Sequence, residues 1–151
     1  MDALQATKWA VGNADFTVDN AAYTVASVDT KGYAACTIAV AFGNVPANVG
    51  ALKVTESDDD SSYSDLTNTV VGTATNVFGS TSALPTAASG DGKVTIFHID
   101  LKGRKRYLKA AVTAGNGSGT VTECCVLYIL HRAQDMPVTA TERNVADVLK
   151  A

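Results

Sequence analysis

Two histidines, His98 and His131, are the only imidazoles in the 151-residue chain, so a serine, threonine or cysteine nucleophile would have to take its base from one of them. His98 falls inside segment 94–101 and His131 near the end of 121–132, and both segments alternate with the period of a strand. Neither histidine flanks a glycine-bracketed nucleophile, and no G-x-S-x-G, Walker A or H-E-x-x-H pattern occurs. Both read as structural or surface residues. No catalytic residue is assigned, and the chain is expected not to be an enzyme.

Metal chemistry finds equally little to build on. The three cysteines, Cys36, Cys124 and Cys125, lack a Cys-x-x-Cys spacing or a neighbouring histidine, and adjacent strand residues point to opposite faces. They are expected to be free, buried thiols. The acidic run Asp58-Asp59-Asp60 would suit calcium through its hard oxygens, with Glu56 and Asp60 as the first ligands to consider. It does not follow the EF-hand pattern, because Tyr63 stands where glycine and Thr69 where glutamate belong. A solvated acidic turn is expected, with no metal and no cofactor. The cluster Lys102, Arg104, Lys105 and Arg106 is the strongest charge feature. It reads either as a solvated turn or as a docking site for an acidic protein surface.

The elements that must position these groups are strands. Along 34–42, Cys36, Ile38, Val40 and Phe42 share one face and Ala35, Thr37, Ala39 and Ala41 the other, which suits a large face in the core and a small face near another backbone. Leu52 and Val54 mark a short strand with Lys53 and Thr55 outward; Thr- and Val-rich residues 67–78 predict another, with a bulge, and 79–92 a long exposed connection. On 94–101 the apolar face is Thr95, Phe97, Ile99 and Leu101. Segments 107–114 and 121–132, joined by a glycine-rich link, give a hairpin signal. The last of them is apolar on both faces, so it is central or covered on both sides.

Composition supports the same class. The chain has 24 Ala, 18 Val and 18 Thr but 9 Leu, a β-branched mixture that favours strands. Apolar residues make up 46% and charged residues 18%, which excludes a disordered chain, and the net charge of −3 argues against a nucleic-acid partner. No apolar run is long enough to span a membrane and no leader is evident, so no membrane partner and synthesis in a cytosol are expected. The fold expected is all-β: a single β-sandwich, jelly-roll-like or Greek-key, over residues 21–133, with irregular arms over 1–20 and 134–151. Residues 139–149 fit either a short helix capped by Thr139 or Thr141 or an extended arm.

Four groups of residues carry a resemblance. They are Asp29-Thr-Lys-Gly-Tyr33, Leu52-Lys-Val-Thr-Glu-Ser-Asp-Asp59 followed by Tyr63-Ser-Asp-Leu66, His98-Ile-Asp-Leu-Lys-Gly-Arg-Lys-Arg-Tyr-Leu108, and Arg132-Ala-Gln-Asp-Met-Pro-Val-Thr-Ala-Thr-Glu142. Over residues 29–142 the chain resembles small structural proteins encoded in the head-gene region of tailed phages and prophages. It departs at Asp60, where such turns carry glycine. The resemblance implies a capsid decoration, or cement, protein: a non-catalytic subunit made in the bacterial host cytoplasm that binds the outer surface of the head and stabilises it. Its partners would be the major capsid protein of the same phage and copies of itself, as a trimer or dimer.

Under that reading Trp9, Phe16, Val145, Val148 and Leu149 are apolar anchors on the arms, and Lys102, Arg104, Lys105 and Arg106 supply a charged contact. The anchors would otherwise close the ends of the chain's own sandwich. Two other classes fit the same fold, a self-assembling shell or tail-tube subunit and a carbohydrate-binding module. The second ordinarily needs an aromatic platform, and aromatic residues are 7% of this chain.

Overall fold

The alternation along 33–42 becomes a ten-residue strand in the computed structural model, which describes residues 6–13, 17–18, 21–23, 25–115, 117–119 and 121–134. In chain order the strands are β1 (Lys8–Asn13), β2 (Thr17–Val18), β3 (Ala21–Ala22), β4 (Val28–Asp29), β5 (Tyr33–Phe42), β6 (Ala51–Ser57), β7 (Ser64–Asp65), β8 (Val94–Asp100), β9 (Tyr107–Ala114) and β10 (Thr122–Ala133). They build two antiparallel sheets. The first runs β1-β10-β5-β8, with β2 also on β10; the second runs β3-β9-β6-β7, with β4 also on β9.

β1 and β2 are two pieces of one edge strand. β5 holds the opposite side of β10, and Gly43 extends that side by donating to the Glu123 carbonyl at 3.0 Å. β3 and β4 are likewise one interrupted edge of β9, since β6 fills the other side from Ala51 to Ser57. Counted this way there are eight strands. The first, eighth, third and sixth form one sheet and the second, seventh, fourth and fifth the other, which is the order of a jelly roll.

The core lies between the sheets, where Cys36, Ile38, Val40, Val126, Tyr128 and Leu130 meet Leu52, Val54, Leu108 and Val112. Each large aliphatic side chain removed from water there contributes about 1.5–3 kcal/mol.

Three expectations need correction. Residues 8–13, expected as part of an irregular arm, form strand β1, because their residues pair in register with Val126–Leu130 and complete the sheet edge. Residues 67–78 are turns rather than a strand. Asn68 and Gly72 adopt left-handed backbone, and the Asn76 side chain accepts from the Phe78 and Ser80 amides, so many hydrogen bonds are local; beyond these, Thr75 bridges Thr81, Val71 donates to the Leu52 carbonyl at 2.9 Å, and the Thr69 hydroxyl bonds the Val54 main chain. Finally, β9 and β10 do not pair as a hairpin. Their glycine-rich link crosses from one sheet to the other, which lets both buried faces look into the same core.

The connections sort into two ends. Turns 30–32, 58–63 and 101–106 gather at one, where Thr30 donates to the Arg106 carbonyl at 3.0 Å and Gln134 to the Gly32 carbonyl at 2.8 Å. Loops 43–50 and 66–93 gather at the other, where Val45 donates to the Asp91 carboxylate at 2.6 Å and Ala87 to the Asn48 side chain at 2.8 Å.

Candidate functional site

A sheet of a sandwich normally turns one face to the core and a polar face to water. The second sheet obeys. Its outer side carries Lys53, Thr55, Tyr107, Lys109 and Thr113, with Lys53 paired to Asp65 at 2.7 Å and Arg106 to Asp29 at 2.7 Å. The first sheet does not. Residues directly opposite one another share a face, so the register gives its outer side row by row. One row is Cys125, Ala41 and Val94; the next is Val11, Leu127, Ala39 and Ile96; the third is Trp9, Ile129, Thr37 and His98; the last is His131, Ala35 and Asp100. Across these rows Asp100 is the one permanent charge, and Glu123, exposed on the same side of β10 next to the first row, is a second at the end of the face.

Val11, Val94 and Ile96 are 55%, 52% and 63% exposed on this face, and Val77 and Phe78 stand at 93% and 89% beside it. Val77 and Phe78 border a groove whose other wall is Val94–His98 on β8, an edge strand with one side unpaired among the described residues. Long apolar edges are usually blunted by lysine, proline or a bulge, and β8 has none of these. Contiguous exposed apolar surface of this kind is uncommon on the outer side of a sandwich sheet. Covering each exposed aliphatic side chain would contribute on the order of 1 kcal/mol.

At one corner, the Thr37 hydroxyl lies 3.1 Å from His98 Nδ1 and 2.9 Å from His131 Nε2, and the two rings are 6.3 Å apart. Burial, followed by the charges of His98 and Arg132, holds His131 below the ordinary imidazole range. A hydroxyl touching an imidazole is the minimal nucleophile–base contact. Thr37, however, sits in a central strand paired on both sides, so the neighbouring main-chain N–H groups are engaged in the ladders rather than free to stabilise an oxyanion.

The basic turn divides into two kinds of residue. Arg106 grips Asp29 with Nε and Nη2 at 2.9 and 2.7 Å and lies over the Tyr107 ring. That grip is the main reason the Asp29 carboxyl is held below the usual carboxylate range. The Lys105 main chain donates to Glu56 at 3.3 Å and its ammonium to the Ser64 hydroxyl at 3.2 Å. Lys102 and Arg104 are exposed, and among the described residues their side chains make no ion pair.

The acidic turn is occupied by its own donors. The Ser61 and Ser62 amides and the Ser57 hydroxyl all donate to Asp59, holding its carboxyl well below the usual range, with the Ser62 amide the largest influence. Asp60 accepts from the Tyr63 hydroxyl and takes φ of 59°, the left-handed conformation that glycine favours. The turn therefore keeps the backbone shape that the resemblance associates with glycine. Among the described residues no three His, Cys, Asp or Glu side chains converge as metal ligands.

Of the expected contact residues, Trp9 is brought onto the apolar face beside Ile129 and Thr37. Lys102, Arg104, Lys105 and Arg106 lie in the turn that follows β8, at the end where the 58–63 turn also sits. Phe16, Val145, Val148 and Leu149 lie outside the described residues. The three cysteines are free, and burial pushes the Cys36 thiol up to about 12 and Cys124 up to about 11. Sequence reasoning did not single out Val11, Val94, Ile96 or Phe78. The signal was the second apolar face of 121–132 together with the small face of 34–42, which had to be laid side by side to show a surface.

The fold and this face define an all-β jelly-roll sandwich with one sheet polar on its outside and one sheet largely apolar there. No protein-family model matches the chain, and no curated protein sequence matches it. Two solved structures share its fold. The PBSX exported protein XepA aligns at TM-score 0.52 and 17% identity, over 100% of this chain and 46% of that one. A structure of infectious bursal disease virus, Gx strain, aligns at TM-score 0.52 and 10% identity, over 87% of this chain and 33% of that one. The chain thus spans less than half the length of either, and at these identities the likeness is one of fold.

Proposed function

We propose that this chain is a structural virion subunit, a decoration protein that binds the outer capsid surface of a tailed phage, and that the outer face of the first sheet is its docking surface. The observation that supports this most is the apolar row Val11, Leu127, Ala39 and Ile96, which runs across the sheet without a charge. A rigid sandwich presenting such a face can cover a seam between capsid subunits without refolding. The fold likeness to a PBSX exported protein and to a viral structure, and the sequence motifs over 29–142, point the same way. The partners proposed are the major capsid protein and neighbouring copies around a symmetry axis, with neither nucleic acid nor membrane involved.

The test is co-sedimentation with undecorated heads, using the parent chain and Ile96→Lys. Saturable binding by the parent and its loss in the variant are expected. A parent that stays in the supernatant, or a variant that binds equally well, overturns the reading.

The open edge of β8 favours a second reading, a shell or tail-tube subunit in which that edge pairs with the next copy. Such a subunit would form rings, tubes or shells when purified alone, which electron microscopy would show.

A further inference from the structure

We infer that the recess formed by Thr37, His98, His131 and Arg132, at the corner of the apolar face, is a binding site for a carboxylate side chain presented by the partner that covers this face.

The hydroxyl of Thr37 has a single hydrogen, so it can donate to one imidazole only and must accept an N–H from the other. The ring that accepts from Thr37 therefore carries its own N–H on the nitrogen turned away from Thr37. Protonation of either ring adds a further donor. Arg132 supplies a guanidinium fork, and among the described residues it makes no ion pair. Its backbone takes φ of 55°, a left-handed conformation that residues other than glycine rarely adopt. The rest of the recess wall is Ala6, Thr7 and Ala35, so among the described residues no acidic side chain lines it.

Among the described residues, Arg132 is the one permanent charge that lines the recess. On β8 the nearest acid is Asp100, which stands beyond Ala35 from His131 and accepts from the Lys102 amide at 3.0 Å. On β1, Lys8 pairs with Leu130 and so belongs to the opposite side of the sheet. β5 contributes Ala35 and Thr37 to the recess wall, neither of them ionisable.

The choice of carboxylate follows from shape and surroundings. A planar two-oxygen anion matches a guanidinium fork beside imidazole and hydroxyl donors. An apolar interface that covers a charge must meet it with several donors, and here they converge at one corner while the rest of the face is dry. The partner surface that fits is therefore apolar with one aspartate or glutamate near its margin. Bound carboxylate would favour the protonated imidazoles, so docking should tighten as pH falls through the histidine range. This inference rests on the docking role of the face, but the recess chemistry can be tested without the partner.

The experiment is a titration of the intact chain with acetate against chloride at constant ionic strength near pH 6, following the ring resonances of His98 and His131 by nuclear magnetic resonance. Saturable shifts in both rings and a raised His131 pKa are expected, with affinity reduced about tenfold or more in Arg132→Ser. His98→Gln provides a second variant, and dispersed amide spectra establish that each is folded. Shifts that rise linearly without saturation, or that are the same in both variants, overturn the inference. Phosphate binding more tightly than acetate overturns the carboxylate assignment. Acetate saturation with no attachment to heads would leave the recess standing and remove the capsid reading. Attachment without acetate saturation would do the reverse.

Discussion

The hydroxyl of Tyr128, rooted in the first sheet, accepts the main-chain N–H of Ala110 in the second at 3.1 Å. Ala110 needs that partner because the edge strand beside β9 is interrupted between Ala22 and Val28, leaving its N–H without a ladder mate. The same hydroxyl donates to the Ala26 carbonyl at 2.8 Å, so one phenol mends both sides of the gap. Tyr128→Phe keeps the ring and removes the mend. With a buried donor and acceptor left unmatched, the loss of stability should be about 2 kcal/mol, measured from the denaturant midpoint. A change within about 0.5 kcal/mol, as at an indifferent surface site, would mean that water or a shift of 23–27 replaces the hydroxyl.

Gly12 lies against the same ring. A Cβ built there would come within 2.5 Å of Tyr128 Cε2 and 3.0 Å of Val126 Cγ1. Both contacts belong to fully buried residues that have no room to retreat. Gly12→Ala should therefore destabilise the fold by about 1–3 kcal/mol through overpacking. Because Tyr128→Phe frees the ring from the two hydrogen bonds that fix its position against Gly12, Gly12→Ala and Tyr128→Phe should be non-additive in a double-mutant cycle.

The outer face should behave in the opposite way. Ile96→Lys alters an exposed position, so its melting temperature should match the parent, within about 0.5 kcal/mol of stability. Attachment to heads should nonetheless fall about tenfold or more, because docking would bury an unpaired ammonium in an apolar surface. Phe78→Ser tests the margin: a smaller loss is expected if Phe78 only flanks the contact. Occupancy against protein concentration measures both. Equal attachment of parent and Ile96→Lys would show that the face is not the docking surface.

Much of this was legible in the sequence. Period-two alternation along 34–42, 94–101 and 121–132 identifies the long strands and their core faces, and the jelly-roll or Greek-key sandwich follows from their number. The edges were harder. β1 was hidden because Trp9 and Val11 face outward while Ala10 and Gly12 face in, so the usual sign of an apolar inner face is reversed. The apolar outer face depends on which strands are neighbours: β5 lies between β10 and β8, though long stretches of chain separate them. His98 and His131 meet at Thr37 for the same reason, a register relationship that no local spacing records. The glycine-rich link after β9 read as a hairpin because composition reports a turn but not which sheet the chain enters.

The charged end gives a prediction in which direction matters. Asp29 titrates below its ordinary value in the folded state, first through its hydrogen bonds to Arg106, so folding favours its ionised form. The resulting stability is present above the ordinary aspartate value of 3.8 and is lost as pH falls through the lowered one. Asp59 acts in the same direction through the Ser62 and Ser61 amides and the Ser57 hydroxyl. His131 adds to it at higher pH: with its pKa lowered from 6.5, the unfolded chain takes up a proton first, so stability begins to decline as pH drops below that value. Denaturant midpoints across the acid range should thus fall in two stages, a small one in the histidine range and a larger one in the carboxylate range. Arg106→Ser should shrink the second stage by returning Asp29 towards its ordinary value, while leaving Asp59's part in place. Arg104→Ser removes a side chain that makes no ion pair among the described residues, and its curve should overlie the parent's. If Arg104→Ser also slows attachment to heads and lessens its salt dependence, the free arginine steers docking while Arg106 holds the turn. Two variants that lose acid stability equally would show that the turn acts as one diffuse charge, and the bidentate grip on Asp29 would have no separate role.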